Sequence, residues 1–279
     1  MESLDVIRVP ESMLEIRRGM DRVPTPAEAL RMFATPVRVP MARKEAQVAD
    51  KGRRFEFESG GVDLVGWEWG SGEKSVLLMH GWNGRATNLS SFVEPLVEAG
   101  FRVVAFDAHG HGDSGGDHCY APLYAGAARK LAGEMGDFFG VVAHSFGTCS
   151  ATIAMKDGLR VKRVVYLSTM CWIKMRFYEF AAAVGLDRAG QDEMWRISEE
   201  YFGRGLIESY HGDVAGREFT ARGLMVHDED DQEILVAQSR AMQSVWQGSE
   251  LWETKGLGHF RIIRSGAVVA RAAEFLNEV

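Results

Sequence analysis

Val141-Val142-Ala143-His144-Ser145-Phe146-Gly147 decides how this chain is read. A run of apolar residues ends in a serine with small residues two positions away on each side. That is the pattern of a strand turning sharply into a helix and leaving a hydroxyl exposed at the corner. A serine in such a strained turn is a candidate nucleophile. The usual pattern has Gly where this chain has Ala143, and one added methyl is expected to be tolerated. The rest of the chain has to supply a base, an acid and donors for an oxyanion.

Outward from that stretch, other short apolar runs lack alternation: Ser75–Met79, 103–106, 140–143, 164–167 and 224–226. Strands of this kind are buried on both faces between helical layers. Residues 54–58 and Val62–Trp69 flank Ser59-Gly60-Gly61 and read as a β-hairpin. Helical stretches fall at 88–99, 120–135, 145–156, 233–244 and 265–277. Alternating strand and helix implies a mostly parallel sheet with right-handed crossovers, whose working residues gather at the C-terminal ends of strands. From 171 to 222 the alternation stops. Helices at 176–184 and 193–202, punctuated by glycines, suggest a helical cap inserted between two strands. Residues 1–53 hold five of the seven prolines and read as a partly helical arm. Within it Thr25 is the expected N-cap, with Pro26 at the first helical position and Glu28 closing a capping box. No chemistry is assigned to the arm.

The 279 residues are 46% hydrophobic and 25% charged, with a formal net charge of -7. That composition suits a soluble globular protein and argues against nucleic-acid or anionic-membrane binding as the main activity. The basic clusters at Arg43-Lys44 and 51–54 read as solvated surface. Cys119, Cys149 and Cys171 are odd in number and fit no metal spacing. They are expected to be reduced, with Cys149 buried. The start, MESLDVIRVPESMLEIRR, has no apolar run of a secretory signal, and no segment approaches the ~20 apolar residues of a membrane span. A cytoplasmic location follows as an expectation, with no cofactor and no metal; oligomeric state is not read.

Three further motifs carry chemistry. Met79-His80-Gly81-Trp82-Asn83 follows an apolar strand, and Gly81 allows close backbone approach. Phe106-Asp107-Ala108-His109-Gly110-His111-Gly112-Asp113-Ser114-Gly115-Gly116 invites a metal reading through its histidines and aspartates, but its spacing offers no ligand set. It reads instead as a tight hydrogen-bonded loop bordering the site. Residues 224–234 end a strand in a run of acids, and Lys255-Gly256-Leu257-Gly258-His259-Phe260 precedes a final amphipathic helix.

Together with the serine corner, these motifs resemble the α/β-hydrolase superfamily, in the expected order, from about residue 54 to the end. The resemblance implies an eight-stranded sheet with helices on both faces, a core at 54–170 and 223–279, and a cap at 171–222. It makes Ser145 the nucleophile and His259 the base. Trp82, after His80-Gly81, and Phe146 become backbone N–H donors to the oxyanion, each worth roughly 3–4 kcal/mol. Asp231 falls at the matching acid position, four residues after His227. Asp228 replaces the usual glycine and Asp230 is adjacent, so the choice among these three acids stays open. Residues 167–170, where some relatives carry the acid, contain none.

The implied chemistry is a Ser-His-Asp mechanism on an ester or related acyl bond of a small substrate. Met170 and Trp172 are candidate substrate contacts, and Met175, Phe177, Tyr178 and Trp195 could extend an apolar acyl pocket. An acyltransferase, a thioesterase or a carbon–carbon bond hydrolase would use the same groups. A ligand receptor with little turnover is the non-enzymatic alternative. Epoxide hydrolases and haloalkane dehalogenases resemble the chain less, since they use Asp where Ser145 stands.

Overall fold

A computed structural model describes residues 7–278; Met1 to Val6, which open the arm, and Val279 lie outside the described residues. The eight strands are β1 (Arg53–Ser59), β2 (Val62–Trp69), β3 (Ser75–Met79), β4 (Arg102–Phe106), β5 (Gly140–His144), β6 (Arg163–Leu167), β7 (Arg222–Asp228) and β8 (Ser249–Thr254). They form one sheet in the order β1-β2-β4-β3-β5-β6-β7-β8. β1 and β2 make the expected hairpin, β2 runs antiparallel to β4, and the pairs from β4 to β8 are parallel.

The unalternating runs are buried because both faces of the sheet are covered. In β3, Leu77 and Met79 pack with Ala125, Ala128 and Ile153 on one side. Val76 and Leu78 pack with Leu96, Val268 and Phe275 on the other. Successive side chains of a strand point to opposite faces, so one five-residue run serves two cores.

Most expected helices form, with shifts that have local causes. Ala121–Met135, Phe146–Lys156 and Gly266–Asn277 fall within a residue of expectation. The stretch expected from 88 divides into a 3₁₀ turn, Ala86–Phe92, and a short helix, Val93–Glu98, with Pro95 near its start. The one expected from 233 begins only at Ala237, because Asp231 holds the amides of Glu233 and Ile234 in a turn first. Between β6 and β7, Ile173–Ala183 starts earlier than expected. Arg188–Phe202 also starts earlier, because the Asp187 side chain accepts from the Gly190 amide and caps it. Among the described residues, this insertion contains no strand.

The arm is ordered by specific contacts. Helix Pro26–Ala34 carries the capping box expected of Thr25 and Glu28. Phe33 packs on Phe177 and Phe180 of the insertion, with ring centroids 4.4 and 5.3 Å away. Arg38 donates to the carbonyls of His111, Gly112 and Gly116, and the Val37 amide donates to Asn83. A further arm helix, Arg43–Ala49, was not expected; its N-cap is Ala42, which supplies no side-chain signal. Among the described residues, no helix is long and apolar enough to cross a membrane.

Helix Phe146–Lys156 packs tightly on β3 at Gly147. A Cβ there would lie 2.4 Å from the Met79 carbonyl oxygen and 2.8 Å from that of His80. Backbone on both sides leaves nothing flexible to yield. Gly147→Ala should therefore lower stability by at least about 2 kcal/mol, whereas Gly126→Ala, exposed in a helix with open space around it, should raise it by about 0.5–1 kcal/mol. Urea unfolding of the two variants checks both signs.

Candidate active site

β5 delivers Ser145 to the C-terminal edge of the sheet. Its backbone sits at φ 53° and ψ -119°, a region that costs an L-residue of order 1–3 kcal/mol and persists only where neighbours enforce it. They do so here. The Ser145 amide donates to the Leu167 carbonyl at 3.0 Å. Its carbonyl accepts from the amide and the hydroxyl of Thr148, at 2.8 and 2.6 Å. From the β3 side, Gly81 comes so close that a Cβ on it would be 3.3 Å from the Ser145 Cβ.

His259 reaches the serine from the loop after β8. Its Nε2 lies 3.0 Å from Ser145 Oγ and its Nδ1 lies 2.8 Å from Asp231 Oδ2. The other carboxylate oxygen accepts from the amides of Glu233 and Ile234. Burial alone would raise the Asp231 carboxyl. The donors His227, His259 and the Ile234 amide outweigh it and hold the group well below the usual carboxylate range. An ionised acceptor fixes the proton of His259 on Nδ1 and leaves the Nε2 lone pair for the serine hydroxyl. His227 sits 3.4 Å from Asp231 through Nε2, while its Nδ1 is 2.7 Å from the Ser239 hydroxyl.

The three acids at the end of β7 do different things. Asp231 meets the histidine. Asp228 accepts from Thr254, from the Leu257 amide and from the Asp230 amide, so it ties the end of β7 to the loop that presents His259. Burial pushes its carboxyl up, but these donors and the Gly258 amide bring it below the ordinary value. Asp230 accepts from the Gly256 amide in the same loop. A glycine at 228 would supply no such brace.

Trp82 and Phe146 stand beside the serine, their rings packed edge to face at 5.1 Å. Among the described residues, no protein acceptor is paired with the amide of either. His80 lies beneath: its amide donates to the Tyr124 hydroxyl, its Nδ1 faces the Gly81 carbonyl and its Nε2 accepts from the Ala108 amide. The glycine-rich loop after β4 is organised by Asp107, whose carboxylate accepts from the amides of Ala86 and Asp113. His109 Nε2 and His111 Nδ1 donate to the carbonyls of Ser59 and His109.

A cavity of about 530 Å³ opens above the serine. Met170 lines it, held by a hydrogen bond from its amide to Thr148, and so does Phe177. Trp172 does not: its indole N–H donates to Asp213, 3.2 Å away. Met175, Tyr178 and Trp195 also fall outside the lining. Residues the sequence did not assign to a pocket do line it, notably Met32 and Phe33 of the arm and Cys149 and Ile153 of helix Phe146–Lys156. The i, i+4, i+8 spacing of Ser145, Cys149 and Ile153 was a usable signal for the last two. Nothing local marks the arm residues.

A largely parallel sheet with a serine at the turn after its central strand defines the α/β-hydrolase class of protein. Residues 76–272 match the model of the Alpha/beta hydrolase family, and the chain belongs to that family. Solved structures agree on the fold. A membrane phospholipase A described as a bacterial virulence factor is 16% identical, with a TM-score of 0.65 over 90% of this chain and 91% of that one. An esterase of Pyrococcus furiosus is 21% identical, with a TM-score of 0.65 over 87% and 98%. The thioesterase domain from the curacin biosynthetic pathway is 15% identical, with a TM-score of 0.60 over 80% and 99%. No curated protein matches the sequence.

His144 offers a test of the site's electrostatics. Its Nε2 donates to the His259 carbonyl at 3.0 Å, and burial pushes its pKa down to about 3. The unfolded chain binds this proton near the usual histidine value of about 6.5; the folded one does not. The stability it contributes is complete above that value and is lost as pH falls toward 3. Relative to His144→Gln, wild-type unfolding free energy should drop by about 2–3 kcal/mol between pH 6 and pH 4. Paired urea titrations across that range measure it.

Proposed function

We propose that the chain is a serine hydrolase that cleaves an ester or related acyl bond of a small substrate. The observation that carries this reading is the hydrogen-bonded row from Ser145 through His259 to Asp231, at 3.0 and 2.8 Å, opening into a cavity. Ser145 Oγ attacks the carbonyl carbon while His259 Nε2 takes its proton. The oxyanion is met by the amides of Trp82 and Phe146. Collapse expels the leaving group, which takes the proton from His259, and leaves the acyl group on Ser145. Water then attacks the acyl-enzyme with His259 again as base, releasing the acid and restoring the serine. Asp231 stabilises the imidazolium and fixes its tautomer.

Met170 is retained as a substrate contact. The likeness to a thioesterase domain makes a thioester one donor worth comparing with oxygen esters. Three buried, unpaired cysteines fit the expected cytoplasmic setting. A ligand receptor on the same fold would bind tightly without turnover.

A fluorophosphonate probe should label the wild type and not Ser145→Ala. Labelling that survives the substitution sinks the nucleophile assignment. In ester hydrolysis, Asp231→Asn should lower kcat by about 10⁴-fold through the wrong tautomer. Asp230→Asn, at a carboxylate that accepts from the Gly256 amide, should cost far less. Equal losses would count against the assignment of the acid.

A further inference from the structure

The residues that line the cavity divide into an exposed lobe and a buried one. The exposed one includes Phe260 and Arg264. Phe260 is 64% exposed, and Arg264 has its side chain largely in water. The other runs along helix Phe146–Lys156. Ser145, Cys149 and Ile153 share one face of that helix and all line the cavity. Eight residues of helical rise give this lobe a length of roughly 12 Å. Tyr210 also lines the cavity, and its hydroxyl donates to the Asp157 carboxylate at the end of the same helix. Met32 and Phe33 of the arm add a wall from outside the family-matched residues.

The lobe's polar atoms are already used. The Tyr210 hydroxyl faces Asp157, and the Cys149 thiol donates to the Phe146 carbonyl at 3.1 Å. Burial raises that thiol to about 12, so it stays neutral. A buried apolar lining of Cys149, Ile153, Ile207 and Tyr210 whose thiol and hydroxyl are already bonded favours hydrocarbon over a polar substituent. The lobes also differ in what the reaction needs of them. A leaving group must depart and water must enter while the acyl group stays on the serine. The exposed side suits that exchange, and the buried side suits the group that stays.

We propose that the lobe between helix Phe146–Lys156, the helical insertion and the N-terminal arm is the binding site for an unbranched acyl chain of about eight to ten carbons, at roughly 1.25 Å per methylene. The arm is thereby part of the substrate site. This rests on the acyl-cleaving reading above.

The test is a series of p-nitrophenyl esters from acetate to palmitate. kcat/KM should rise by roughly two- to fourfold per methylene to a maximum at eight to ten carbons, then fall. Ile153→Phe, which shortens the lobe, should move the maximum to about four carbons. A binding measurement avoids both turnover and that variant's folding: decanoate should raise the Tm of Ser145→Ala with concentration, and butyrate should not. A rate profile that is flat or falls from acetate upward overturns the lobe assignment and leaves the hydrolase reading standing. So does decanoate that fails to stabilise Ser145→Ala. If no ester turns over and no fluorophosphonate label forms, the hydrolase reading fails instead, and decanoate stabilisation then still supports a hydrocarbon site.

Discussion

Helix Phe146–Lys156 begins against the backbone of β3, and Gly147 is where they meet. Two carbonyl oxygens, of Met79 and His80, occupy the space a side chain would need. To enter a helix at that distance from a strand ending in line with it, the chain must turn within one residue, and that residue is Ser145 at positive φ. The local strain is of order 1–3 kcal/mol. It is offset by burying nearly the whole helix, from Phe146 to Ala154. The same approach sets Trp82 of the β3 loop beside Phe146 of the helix. One steric contact therefore fixes the hydroxyl, the two amides proposed as oxyanion donors and the floor of the cavity.

The acidic end of β7 shows how neighbouring like charges can be sorted. Asp228, Asp230 and Asp231 lie within four residues, yet each accepts from a different set of donors. Hydrogen bonds from amides and a hydroxyl keep Asp228 ionised although it is buried. That carboxylate holds the loop through Leu257, two residues before the histidine. Such a brace turns a flexible glycine loop into a fixed support, and replacing the usual glycine at 228 brings it in.

The sheet was readable because strands buried on both faces leave unbroken apolar runs, as in Ser75–Met79. β8 left none, since Ser249–Thr254 is a half-exposed edge strand, and its place came only from the motif that follows. Ser145 and His259 were readable because a sharp turn and a glycine loop impose local residue patterns. Asp231 could not be separated from Asp228 and Asp230 by pattern. The choice depends on which oxygen meets a ring 28 residues away in the chain. Trp172, a candidate substrate contact in the sequence, lies outside the cavity lining, because aromatic character says nothing about direction; its N–H donates to Asp213. The arm was the largest omission. Its helix was legible from Thr25-Pro26 and Glu28, but its destination rests on Phe33 meeting Phe177 and Phe180, a pairing between distant segments that leaves no local trace.

The arm also sets how the molecule can be handled. Ser12 bonds the Glu233 carboxylate next to Asp231, Arg17 bonds the Val184 carbonyl, and Phe33 covers two aromatic rings of the insertion. Starting the gene at Arg53 would keep all eight strands and every residue of the proposed triad. It would also uncover the faces of Phe177 and Phe180, creating an apolar patch of the kind that makes soluble proteins self-associate. A boundary drawn at the first strand would thus yield an aggregating fragment whose failure looks like poor folding, when what is missing is a cover.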